Sequence, residues 1–137
     1  MKILKTICFA CLIIFAPSCS NDDNGDSSEK TTRELLTTGK WYQESKSPGS
    51  FTDCEKNGYV EFMDNGDAIV DIYDDFSGTC ESLGAIIAEY TLSNNIKITI
   101  TFGADVTEIN IEEISDDELV LKNVNDGEII RFDRTPG

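Results

Sequence analysis

The side chains with chemistry beyond packing are five cysteines, several carboxylate clusters and a few hydroxyls. Cysteine occurs at Cys8, Cys11, Cys19, Cys54 and Cys80, and histidine is absent. Without histidine there is no Ser-His or Cys-His nucleophile pair, and the commonest transition-metal ligand is missing. Asp64-Asn65-Gly66-Asp67, with Asp71 and Asp74-Asp75, offers oxygens a calcium ion could use. The run lacks EF-hand spacing and its terminal Glu, and a turn followed by a strand accounts for it. Glu112-Glu113 and Asp116-Asp117-Glu118 are close enough in sequence for an acid/base pair. Turns in so acidic a chain produce such pairs without catalysis. Thr99-Ile100-Thr101 reflects strand propensity, not a nucleophile. The sequence therefore points to no catalytic residue, no metal site and no cofactor.

The cysteines divide by context. Met1-Lys2-Ile3-Leu4-Lys5 is basic, and Ile7 to Ala16 is apolar and too short to span a bilayer, which takes about 20 residues. This is the pattern of a secretory signal. Cys8 and Cys11 lie within it as merely apolar residues. Ala16-Pro17-Ser18-Cys19 resembles a bacterial lipobox, with Ala16 where Leu is usual. The resemblance implies that residues 1–18 are a lipoprotein signal peptide and that Cys19 carries lipid. Each buried CH₂ is worth roughly 0.8 kcal/mol, so two or three acyl chains hold a protein on a membrane. Residues 19–31 hold no large apolar side chain and read as a disordered tether, leaving residues 32–137 as one domain. Asp22-Asp23 resembles the surface-export signal of Bacteroidetes-type lipoproteins; the alternative is a generic solvated linker. The expected location is the outer membrane of a Gram-negative envelope, on its periplasmic or cell-surface face.

The formal charge is −15, and removing Lys2 and Lys5 with the signal leaves 9 basic residues against 26 acidic ones, or −17. Nucleic acid is a poor partner for such a chain, because phosphate neutralisation needs clustered Lys and Arg. A cationic protein would be attracted, in a salt-sensitive way.

The domain is organised by period-two alternation. Thr32 to Leu36 suits one helical turn, with Thr31 or Thr32 as its cap. Strands are expected at 40–45, 59–63, 68–73, 86–92, 96–102, 106–114, 118–123 and 128–134. The clearest is the fifth, where Ile96, Ile98, Ile100 and Phe102 alternate with Lys97, Thr99 and Thr101. Asn65-Gly66, Asn94-Asn95, Asp116-Asp117 and Asn125-Asp126-Gly127 provide turn chemistry. The expected fold is all-β: an eight-stranded antiparallel up-and-down barrel with a short N-terminal helical turn. A barrel of this size fills with side chains or holds one small ligand.

An up-and-down path gives the barrel unlike ends. Asn65-Gly66, Asn94-Asn95 and Asp116-Asp117 fall at one end, and the long loops 47–57 and 74–84 at the other. Cys54 and Cys80 lie in those two loops, an even pair in an exported domain, which favours a disulfide. Closing a loop of about 25 residues stabilises by roughly 3–4 kcal/mol in the chain-entropy model. Free thiols are the alternative; metal is disfavoured, because the pair has neither histidine nor Cys-x-x-Cys spacing. Phe51, Tyr59 and Phe76 are the apolar residues nearest the looped rim, as core caps or ligand contacts.

Gly39-Lys40-Trp41 matches the Gly-x-Trp that opens the first strand of lipocalins. With the lipoprotein signal, the eight strands, a Cys in the first long loop, the Asn65-Gly66-Asp67 turn and Asp117-Glu118-Leu119-Val120-Leu121, the chain resembles the lipocalin-like domain of Bacteroidetes-type lipoproteins over residues 35–135. The resemblance implies a lipocalin-like barrel, with Gly39 and Trp41 as the fold motif and Trp41 packing across the closed end. The expected function is binding of a small hydrophobic ligand without catalysis. The alternative is a protein-protein or glycan-interaction module using the acidic surface or the looped end.

Overall fold

The computed structural model describes residues 29–137. The signal sequence, Cys19 and Asp22-Asp23 lie outside the described residues. The chain runs α1 (Thr32–Leu36), β1 (Lys40–Ser47), a 3₁₀ turn (Glu55–Asn57), β2 (Tyr59–Phe62), β3 (Asp67–Asp71), β4 (Tyr73–Asp74), β5 (Glu81–Ser82), β6 (Ile86–Ser93), β7 (Lys97–Phe102), β8 (Asp105–Ile114), β9 (Leu119–Asn123) and β10 (Ile129–Asp133). Eight strands close into an antiparallel barrel in chain order, with β10 pairing back onto β1. β4 and β5 form a separate two-stranded ribbon. The sequence reading takes 74–84 as a plain loop and runs the third strand through Tyr73. The chain instead breaks at Ile72 and pairs again above the rim, where Leu83 N–H donates to Ile72 O at 2.8 Å.

Alternation sets the inward face, and two bulges adjust it. In β8 the register shifts between Ile111 and Glu113, so Ile111 and Ile114 both pack on the core although they are three residues apart. In β1 the shift falls between Gln43 and Ser45. Trp41, Phe62, Leu36, Ile98 and Leu119 are fully buried, each worth about 1.5–3 kcal/mol or more of burial. The β7 alternation holds, but only Ile98 is fully covered. Ile96, just before the strand, and Phe102, its last residue, are 59% and 51% exposed because they extend beyond the packed middle.

The turns differ in kind from one another. Asn94 and Asn95 both take positive φ, 53° and 59°, which is the type I′ geometry of a two-residue hairpin. At Asn65-Gly66 only Gly66 is left-handed, and a bulged three-residue loop closes through Gly66 N–H to Met63 O at 3.1 Å and Met63 N–H to Asp67 O at 2.8 Å.

One end of the barrel is sealed by α1. Thr31 is its N-cap in a complete capping box: Glu34 N–H donates to Thr31 Oγ1 and Thr31 N–H to Glu34 Oε2. Hydrogen bonds donated to the Glu34 carboxyl by Thr31 N–H and by Thr31 Oγ1–H (2.8 Å) hold it below its ordinary pKa. Gly39, at φ 80°, then turns the chain into β1. Trp41 lies beneath, donating Nε1–H to Leu36 O at 3.0 Å. The Arg134 guanidinium lies 3.2 Å above the indole ring. It donates to Asp116 O (3.0 Å), Lys40 O (3.1 Å) and Leu35 O (3.1 Å), tying the helix, β1 and the β8–β9 turn together. Burial lowers the Arg134 pKa, against the opposing pull of Asp116 and Asp117. Asp116 also pairs with Lys30, and Glu118 with Arg131. The acidic turn thus anchors cations at this end.

Candidate ligand-binding site

At the opposite end the barrel is not filled. β1 leads into a long loop and the 3₁₀ turn, which returns close against the wall at Gly58. A side chain there would meet Glu55 O at 2.9 Å and Asp71 O at 3.2 Å, so only glycine fits. Cys54 and Cys80 form a disulfide, with Cα atoms 5.4 Å apart, fastening this loop to the ribbon. The ribbon is fixed a second time where Ser82 Oγ–H donates to the buried Asp71 carboxylate.

Between these loops and the sealed end lies a cavity of about 190 Å³. Its wall is formed mainly by Val60, Phe62, Val70, Ile100, Ile109, Leu121, Ile130 and Phe132. The polar residues on it are Gln43, Asn123 and Glu128. Asn123 is the last residue of β9, and Glu128 stands just before β10, so both sit at the looped end. They are directly opposed, since Ile130 pairs with Leu121 and Asn123 N–H donates to Glu128 O at 2.9 Å. Among the described residues no lysine or arginine lines the cavity. Among the described residues no cluster of three or more metal-binding side chains occurs.

Of the three aromatic residues at the expected rim, only Tyr59 lines the cavity. Its register partner is Tyr42, between inward-facing Trp41 and Gln43, and the two tyrosine rings pack 5.8 Å apart with Lys40 over Tyr59. Phe51 is half-buried under Lys46, whose Nζ is 4.5 Å from the ring centroid. Phe76 is 94% exposed between the ribbon strands. Gln43, Asn123 and Glu128 escaped the sequence reading. Glu128 stood in register with Ile130 and Phe132, a position-two signal that could have placed it inside.

Beyond the cavity the same wall continues as an apolar stripe. Val70 pairs with Ile86, and Ile72 meets Leu83 across the ribbon. Ile72, Leu83 and Ile86 are 47%, 63% and 42% exposed.

Residues 37–121 match the model of the lipocalin-like domain. The chain belongs to the lipocalin-like family. The lipocalin-like protein from Bacteroides uniformis, known from its crystal structure, is similar to this chain with a TM-score of 0.56 and 14% identity, over 73% of this chain and 99% of that one. A deswapped triple mutant of bovine odorant binding protein aligns with a TM-score of 0.42 and 13% identity, over 75% of this chain and 76% of its own. No curated protein matches the sequence. In this lipocalin-like domain, the fold positions two unlike ends: one locked by Trp41 and Arg134, one open to a cavity.

Proposed function

We propose that this lipocalin-like domain is a non-catalytic binding protein that takes a small, mostly apolar ligand into the barrel, held on the outer membrane by lipid at Cys19. The cavity carries the binding reading: it is lined by eight apolar side chains, with Asn123 and Glu128 at the looped end. At about 190 Å³ it is smaller than the roughly 300–1,000 Å³ of sites for drug-sized ligands. A compact molecule of one ring or a short chain fits it better than a fatty acid. Native mass spectrometry of the protein from cells should find it with a bound mass, and Leu121→Trp, which fills the cavity, should lack that mass. A wild-type protein that is empty in repeated preparations would count against the reading.

The lipobox-like sequence at Ala16-Pro17-Ser18-Cys19 supports the anchor. Cys19→Ser should leave the domain folded and release it from the membrane fraction. Retention of that variant on the membrane would refute the anchor.

A further inference from the structure

The polar groups at the cavity mouth are not equivalent. The Asn123 side chain is already used by its own turn: Oδ1 accepts from Asn125 N–H at 2.9 Å, and Nδ2 donates to Asp126 Oδ2 at 3.4 Å. The Glu128 backbone is also used, its N–H donating to Asp126 Oδ1 at 2.9 Å and its carbonyl accepting from Asn123 N–H. The Glu128 carboxylate is different. The four ion pairs among the described residues engage Asp116, Glu44, Glu108 and Glu118, and none reaches it. Two basic residues stand near the rim by register: Lys122, opposite Ile129 and outward by alternation from Leu121, and Lys46, opposite Ile130 and directed onto the Phe51 ring; neither lines the cavity. An apolar chamber thus ends at one uncompensated carboxylate, with no cation on its wall.

We propose that the barrel's ligand is a small amine, whose apolar body fills the cavity and whose protonated nitrogen pairs with the Glu128 carboxylate at the mouth. The inference rests on the ligand-binding reading above and narrows it. An anionic ligand of the same shape would place its charge beside Glu128 with nothing to offset it, in a mature chain of formal charge −17. A neutral ligand would gain no ion pair from the Glu128 carboxylate, which is partly exposed at the rim. A cation is drawn towards the domain by its net charge and retained by a charge-assisted hydrogen bond, the strong kind.

The test uses three probes of one shape: benzylamine, benzyl alcohol and benzoate. Binding to the full chain in lipid nanodiscs is followed by ligand-observed NMR, with empty nanodiscs as the blank. Benzylamine should bind about tenfold more tightly than benzyl alcohol, the factor a charge-assisted hydrogen bond provides, and benzoate most weakly. Glu128→Gln should bring the amine down to the alcohol's affinity. Added salt should erode the amine preference in the wild type, a readout that does not depend on the variant folding. Equal affinity for all three probes overturns the inference and leaves the apolar cavity standing. Preference for benzoate overturns it also, and points to Lys46. If no probe binds, and Leu121→Trp behaves as wild type, the ligand-binding reading falls with it.

Discussion

At the sealed end of the barrel, Trp41 is fully buried, and one guanidinium covers its ring while gripping carbonyls from the helix, β1 and the β8–β9 turn. At the looped end the wall residues meet empty space, and the covering segments are joined by a disulfide and a serine–aspartate hydrogen bond. The first end is held by dense packing around one side chain. The second is held by tethers that leave the interior open. The difference shows how so small a domain can keep a cavity. Unfilled volume costs stability in proportion to its size, so the space is confined to one end, and the other end is packed without it.

Disrupting the sealed end should have the largest effect. Trp41→Ala removes the indole, its hydrogen bond to Leu36 O and the surface on which Arg134 lies. Truncation of a buried Trp typically costs about 3–5 kcal/mol, a large share of the roughly 5–15 kcal/mol of a domain this size. Urea denaturation should show the unfolding free energy falling by that amount, with a lower midpoint. The residual folded protein should still bind whatever the wild type binds, because Trp41 does not line the cavity. Loss of affinity in the folded fraction, with little loss of stability, would reverse the assignment of roles to the two ends.

The two ends also differed in how much of them the sequence disclosed. Strands β2, β6, β7, β8 and β9 were legible because Val60/Phe62, Ala88/Tyr90, Ile98/Ile100, Ile109/Ile111 and Leu119/Leu121 repeat at period two, and period two has one structural meaning. Gly39-Lys40-Trp41 marked the sealed end, but its clamp, Arg134, was illegible. The carbonyls it binds lie 18 to 99 residues away and carry no sequence signal. At the looped end the sequence suggests aromatic residues for the rim, although loop aromatics are not bound by alternation. Phe76 accordingly stands in solvent, while Glu128, in register with Ile130 and Phe132, lines the cavity. The ribbon was hidden because Tyr73-Asp74 and Glu81-Ser82 are two residues each, too short for any period to show.

The disulfide sharpens the comparison further, since a tether and a packed side chain act through different states of the chain. Cys54 and Cys80 are 26 residues apart, and the span contains β2, β3 and their tight turn. In the chain-entropy model the link acts by restricting the unfolded chain, so its removal costs stability without rearranging native contacts. A Cys54→Ser/Cys80→Ser double variant should lose about 3–4 kcal/mol in urea unfolding. Its hydrogen exchange should quicken first over residues 72–85, where β4 and β5 have no other strand neighbour in their sheet. Protection of Trp41 and Leu36 amides should fall only as far as the global stability falls. If they instead become the first to exchange, the two ends are one cooperative unit, and the tether supports the packed end as much as its own. If stability drops by less than about 1 kcal/mol, the unfolded chain is already compact enough to keep the two loops near each other, and the link adds little beyond holding the ribbon over the mouth.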